Sequence, residues 1–120
     1  MACVTEFVHT ASLLHDDVID DSPVRRNKPT VQTRWGDQTA VLVGDLVYAR
    51  ASELMAETQK DQLIGSFART IKSMSEGEIF QLEHVYDYGL SSDLYFKIIG
   101  CKTASLLATT CEAAGLLAGV

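Results

Sequence analysis

Near the start of the chain the apolar residues Val4, Phe7, Val8, Ala11, Leu14 and Val18 recur at steps of three and four. That interval gathers them on one side of a helix over residues 4–21, and strand-like alternation is absent. Residues 22–36, with Pro23 and Pro29, read as a loop, because both prolines suit a turn better than a helix interior. Asp37 then offers an N-cap for a second helix over 37–57, whose AVLVGDLVYA stretch is apolar nearly all round and is expected to be buried. A third helix is predicted over 61–88 from Leu63, Ile64, Phe67, Ile71, Met74, Ile79, Leu82 and Val85. YGLSSD breaks that period and caps a fourth, over 93–117. The expectation is an all-α helical bundle of about four long helices, without repeats, low-complexity tracts or linkers.

Length and composition narrow this reading. A chain of 120 residues suits one small domain, so residues 1–120 are expected to form a single unit. Its 47% hydrophobic content is that of a globular protein, and a formal charge of −6 argues against nucleic acid as a partner. The cysteines, Cys3, Cys101 and Cys111, are odd in number and form no CxxC pair, which points away from a disulfide framework or a thiolate zinc site. A reducing compartment is the simpler reading, either cytoplasm or, given a separate targeting segment, mitochondrion. MACVTEFVHT lacks the basic start and apolar core of a signal peptide, and no apolar run approaches membrane-spanning length, so the chain is expected to be soluble. Val4 is already on an apolar helix face, and the last residues, AAGLLAGV, stay apolar. Such ends predict the interior piece of a larger helical protein.

The chemistry concentrates in LLHDDVIDDSPVRRNKPT, residues 13–30. On a helix, Asp16, Asp17 and Asp20 fall within about 100° of one another, opposite Phe7, Leu14 and Val18. Carboxylates held that close repel, so either one is protonated or a cation sits between them. All-oxygen ligands favour a hard ion, Mg²⁺ or Ca²⁺, and Mg²⁺ held by few carboxylates completes its shell with water and phosphate oxygens. Arg25, Arg26 and Lys28 would then bind the same phosphates or a second anionic group. The plain alternative is a solvated acidic helix end followed by a basic surface loop.

Other polar residues carry weaker signals. Lys102 within IIGCKTASLL reads by itself as a lysine that snorkels to the surface, and Gln81, with Glu78 one turn earlier, is equally helix surface. Asp45 inside VLVGDLVY reads as a buried acid in a structural hydrogen bond, with Gly44 permitting close helix approach. His9 and His15 lie in no HxxxH or HExxH pattern and read as packing or tunnel-lining residues rather than metal ligands. Tyr86, Tyr88 and Tyr95 read as packing at helix boundaries.

LLHDDVIDDSPVRRNKPT closely resembles the first aspartate-rich motif of the trans-isoprenyl diphosphate synthases, in which DDxxD is followed by paired arginines and a GKPT-like turn. VLVGDLVYARA at 41–51, SEGEIFQL at 75–82 and YFKIIGCKTASLLATTCEAAGLLAG at 95–119 are similar, in order, to that family's GD, GExxQ and lysine-threonine helices. Asn27 stands where the family commonly has Gly, and Asn tolerates the left-handed conformation better than most residues.

The resemblance implies roles. Asp16 and Asp20, with Asp17 beside them, would bind Mg²⁺ that bridges to an allylic prenyl diphosphate, and Arg25 would contact that diphosphate. Arg26 would hold the diphosphate of isopentenyl diphosphate, Lys102 and Thr103 would reach the allylic substrate, and Gln81 would face the reacting carbons. Small residues at Ala11 and Ser12, with Val8 below, imply an open tunnel and a long-chain product of the quinone side-chain kind. The family's second aspartate-rich motif and its upstream glycine-lysine-arginine segment have no counterpart in residues 1–120, so the resemblance covers the central part of the domain and implies that this chain alone is inactive. Homodimers or unequal subunit pairs are the implied assemblies. Two further classes remain open at this stage: a non-catalytic helical subunit of a heteromeric prenyl synthase, and a class I terpene cyclase, which shares DDxxD but ordinarily lacks the RRxKP loop.

Overall fold

The computed structural model describes residues 1–120. Helices dominate, as the hydrophobic period predicts, and they fall into two compact units, Ala2–Gln59 and Lys60–Val120 with Met1. Both units are built of helices joined by short turns, with one small hairpin in the first, so the fold is all-α. All three cysteines are free thiols.

In the first unit α1 spans Ala2–Ile19 and α3 spans Asp37–Ala56. Val4, Val8 and Ala11 on α1 and Ala40, Gly44, Ala51 and Met55 on α3 are buried, two stripes of mostly small side chains. The small residues let the helices come close. A Cβ placed on Gly44 would collide with the imidazole of His15, so glycine at 44 makes room for that ring. The close approach expected at Gly44 is thus present, while the expected burial of the whole α3 stretch is not: Leu42 is 67% and Leu46 69% exposed within the chain. α3 buries only the stripe that meets α1, and a helix in contact on one side leaves its other apolar residues uncovered.

Between these helices the predicted loop contains structure that the prolines concealed. Val24–Arg25 (β1) and Lys28–Pro29 (β2) pair antiparallel, with Val24 opposite Pro29 and Arg25 opposite Lys28. Arg26 and Asn27 close this hairpin with φ of 50° and 63°, the left-handed pair of a tight two-residue turn. A short helix, α2 (Val31–Trp35), follows.

In the second unit α4 covers Asp61–Glu83 and stops short of the predicted residue 88. His84 ends it: Nδ1 donates to the carbonyl oxygen of Phe80 at 2.7 Å, giving a helix-end carbonyl a side-chain partner. The turn beyond it leaves Tyr88 fully solvent-exposed and Tyr86 exposed, so these two rings do not pack at the helix boundary as expected, while Tyr95 is partly exposed and stands edge-on to Phe96 at 5.6 Å. Ser91 caps the next helix by accepting the Leu94 N–H at 3.2 Å. That helix is not the single uniform element predicted. It runs as α5 (Ser92–Ile99), a π-helical segment (Gly100–Ala104) and α6 (Ser105–Ala118). Leu63, Phe67, Met74, Ile98, Leu106 and Ala113 form the core of this unit. A buried hydroxyl pair, Thr70 with Thr109 at 2.6 Å, joins α4 to α6.

Gly44→Ala is expected to lower stability by about 1–3 kcal/mol, because the added methyl meets a ring held between two helices. Gly65→Ala, on α4 where the nearest side-chain atom is the flexible end of Arg69 at 3.4 Å, is expected to be neutral or stabilising. Urea denaturation of both variants measures the contrast.

Candidate active site

The three aspartates of DDxxD lie at the C-terminal end of α1, in three different environments. Asp17 is buried, Asp16 is half-buried and Asp20 is exposed. Asp17 Oδ1 accepts from Arg25 Nε at 2.9 Å and meets Arg25 Nη2 at 2.8 Å. The acids therefore do not converge as a threesome, and no group of three or more His, Cys, Asp or Glu side chains is placed to hold a metal ion. The physical reason is angular: Asp17 is turned about 100° from Asp16 around the helix, and the chain returning through β1 presents a guanidinium on that side. Arg25, rather than a cation alone, relieves the charge of Asp17. The Arg25 guanidinium is pushed above its ordinary pKa, first by its hydrogen bond to Asp17, against an opposing effect of burial, and further by the charges of Asp17, Asp16 and Asp20. Asp16 and Asp20 remain, one helical turn apart, as oxygen donors. That donor set fits a hard ion that keeps part of its water shell.

The returning loop is fastened to the end of α1. Thr30, buried, donates through Oγ1 to the Ser22 carbonyl at 2.8 Å, and its N–H donates to the Pro23 carbonyl at 3.1 Å. Gln32 Nε2 donates to the backbone carbonyls of both Asp17 and Ser22. Sequence reasoning passed over Thr30 and Gln32. The signal available was a threonine and a glutamine directly after Pro29, where a helix starts and backbone carbonyls at the end of α1 need donors. Arg26 and Lys28 stay exposed on the hairpin.

His15 packs behind the acids. Its Nε2 lies 3.1 Å from the Val41 carbonyl and 3.3 Å from Asp45 Oδ1. Both neighbours are acceptors, so the proton sits on Nε2. Asp45 has the side-chain partner expected of it but not the burial, being 61% exposed. Tyr48, with its ring 5.6 Å from that of His15, has its pKa raised by burial and then by the charge of Asp16. Towards the other end of α1, Ala11 and Val8 have no solvent exposure and belong to the core, while Ser12 is half-buried with its hydroxyl donating to the His9 carbonyl at 2.8 Å.

The second unit brings three of its polar residues together. Lys102, in the π segment, donates through Nζ to Gln81 Oε1 at 3.2 Å and forms an ion pair with Oε2 of Glu78. Glu78 and Gln81 are one turn apart on α4, so they share the face on which Lys102 lands. Lys102 is therefore engaged across two elements and does not simply snorkel to the surface. Glu78, read from the sequence as surface, is buried. Thr103 is exposed. The backbone reaches this geometry because Gly77 lacks a side chain: a Cβ there would stand 2.9 Å from both Cys101 Cβ and the Lys102 nitrogen. π segments inside α-helices recur at functional sites.

Replacing Asp17 with Asn should lower stability by about 1–2 kcal/mol, the partial exposure of Arg25 limiting the loss, as read by chemical denaturation. Asp16→Asn leaves the ion pair intact and should instead lower the pKa of Tyr48, which stays raised by burial. A spectrophotometric titration resolves this, because Tyr48 is the one half-buried ring among 4 tyrosines.

The chain is 40% identical over 119 residues to the all-trans-nonaprenyl-diphosphate synthase (geranyl-diphosphate specific) of Rhodobacter capsulatus, with 99% of this chain and 37% of that protein covered. It is 38% identical to the octaprenyl diphosphate synthase of Escherichia coli over the same shares. Among solved structures, the polyprenyl synthase from Caulobacter crescentus CB15, complexed with calcium and isoprenyl diphosphate, superposes with a TM-score of 0.94 at 46% identity, over 98% of this chain and 36% of that one. The chain thus spans little more than a third of the length of the relatives it matches. The family model described as polyprenyl synthetase matches residues 1–120 throughout, and the chain belongs to that family.

Proposed function

We propose that the protein containing these residues is a trans-prenyltransferase that joins an allylic prenyl diphosphate to isopentenyl diphosphate, head to tail, and makes a long-chain all-trans polyprenyl diphosphate. The observation that carries this reading is the arrangement of DDxxD: Asp17 is paired with Arg25, and Asp16 and Asp20 place carboxylate oxygens one helical turn apart beside that pair. Those two residues would hold Mg²⁺, which when bound supplies positive charge to a diphosphate leaving group. The reaction needs that charge, because the allylic carbon–oxygen bond breaks with its electron pair going to the diphosphate, and a carbocation remains to be attacked by the isopentenyl double bond before a proton is lost.

The residues of the chain bind and orient. Arg25, with Nη1 outside its contact with Asp17, offers donors to the allylic diphosphate, and Arg26 on the hairpin tip offers them to isopentenyl diphosphate. Lys102, Thr103 and Gln81 are proposed for the allylic substrate on the strength of the family motif. By that motif Lys102 would supply a cation for the negative charge that develops on the leaving group. A long product, of the length used in quinone side chains, is supported by relatives named as nonaprenyl and octaprenyl synthases. Assembly as a homodimer or as an unequal pair of subunits is part of the same proposal. Residues 1–120 alone are proposed to bind without turnover. None of the helices is long and apolar enough to cross a membrane.

Isothermal titration of the chain with a non-hydrolysable farnesyl diphosphate analogue tests the reading. Binding in Mg²⁺ that disappears in EDTA, and in an Asp16→Ala, Asp20→Ala double variant, is the expected result. Metal-independent binding by the folded double variant would refute it. For chain length the informative exchange in the full-length protein is Ser12→Phe, expected to shorten the product, as judged by chromatography of the dephosphorylated prenols. Ala11→Phe is less clean, since Ala11 has no exposure and a larger side chain there also strains the core.

A further inference from the structure

The proposed reaction leaves Glu78 without a task, yet it is the most deeply buried acid of its unit, at 8% exposure. The ammonium of Lys102 lies on Oε2 and is the charge that compensates it, while Oε1 receives no hydrogen bond from a protein donor. Burial of an uncompensated carboxylate is strongly unfavourable, so the position tolerates an acid only because a cation meets it. The dependence runs the other way too. Three quarters of the Lys102 side chain is out of water, and an ammonium so placed tends to give up its proton unless an opposite charge stands beside it.

The backbone is arranged to make this pairing. Gly77 lets the π segment approach α4 until a Cβ would stand 2.9 Å from the backbone nitrogen of Lys102, and Glu78 is the next residue along. Gln81, one turn on, accepts from the same Nζ. Lys102 is therefore held by a charge on one side and an amide oxygen on the other.

We propose that Glu78 is a positioning residue: it keeps Lys102 protonated and aims its Nζ along α4 toward Gln81, so that the ammonium is in place before a diphosphate arrives. The proposal rests on the reading of Lys102 as a diphosphate ligand. Glu78 touches no substrate and acts only through Lys102.

The test is a titration of the 5 lysines of the chain, reductively ¹³C-methylated and followed by NMR, with Lys102→Gln used to assign the signal of Lys102. In the natural sequence Lys102 should titrate above the other lysines; in Glu78→Gln it should fall by about one pH unit or more, and Glu78→Asp should restore most of the shift. Binding of inorganic pyrophosphate with Mg²⁺, measured in parallel, should begin to weaken at a lower pH in Glu78→Gln than in the natural sequence, with Glu78→Asp following the natural sequence. A core ion pair with only a structural role would change stability without this pH dependence. Lys102 titrating with the other lysines in the natural sequence overturns the proposal without need of any variant. A Lys102 signal that follows Glu78 while pyrophosphate binding is unaffected at every pH overturns the positioning role. Failure of the prenyltransferase reading is recognised separately, as analogue binding that ignores Asp16, Asp20 and metal.

Discussion

A carboxylate taken out of water needs a partner, and Asp17 finds one eight residues on, in Arg25. The chain between them must turn back within that distance, which it does just past the end of α1, where Asp21 takes a φ of 49°, so that β1 returns with Arg25 beside Asp17. Thr30 and Gln32 then tie the start of α2 to carbonyls at the end of α1. One ion pair and these hydrogen bonds give a loop of prolines and charged residues a defined course. They also divide an acidic cluster that would otherwise repel itself, because Asp17 is paired with Arg25 while Asp16 is half-buried and Asp20 exposed.

The second unit solves a similar problem with the signs exchanged. There a lysine is carried toward the interior by a π-helical segment, and the nearest turn of α4 supplies an acid and an amide to receive it. The local approach is allowed by an absent side chain at Gly77, as that of α1 and α3 is at Gly44. In both units a glycine permits close contact, and the adjacent polar residue uses it: His15 over Gly44, and Lys102 beside Gly77. Tight backbone packing converts flexible charged side chains into oriented ones, which is what a site for a polyanionic substrate requires.

How much of this was legible beforehand differs by residue. The helices, their approximate limits and the motifs of the polyprenyl synthetase family could all be read from apolar spacing and from DDxxD, RR and KT. The hairpin escaped because Pro29 and Lys28 carry no strand signal, and Arg26, unlike glycine, does not announce a left-handed turn. Glu78 escaped because a single acid on an amphipathic helix is surface in most helices. Its burial depends on a residue 24 positions away, Lys102. The burial of α3 was overestimated because hydropathy shows which residues can be covered, and contact alone decides which are.

The sequence by itself determined the helical period, the breaks at Pro23, Pro29 and YGLSSD, and the kinds of atom available: carboxylate oxygens at the end of α1, guanidinium groups just after it, and an ammonium on the last helical stretch. These are properties of residue type and spacing along one helix, where positions three and four apart are neighbours regardless of what surrounds them. Only the tertiary structure decided which aspartate is neutralised, which carboxylate receives Lys102, and how close the helices lie. Those outcomes turn on distances between residues remote in the chain, and on the electrostatic penalty of burying a charge, which exists only once the helices have packed.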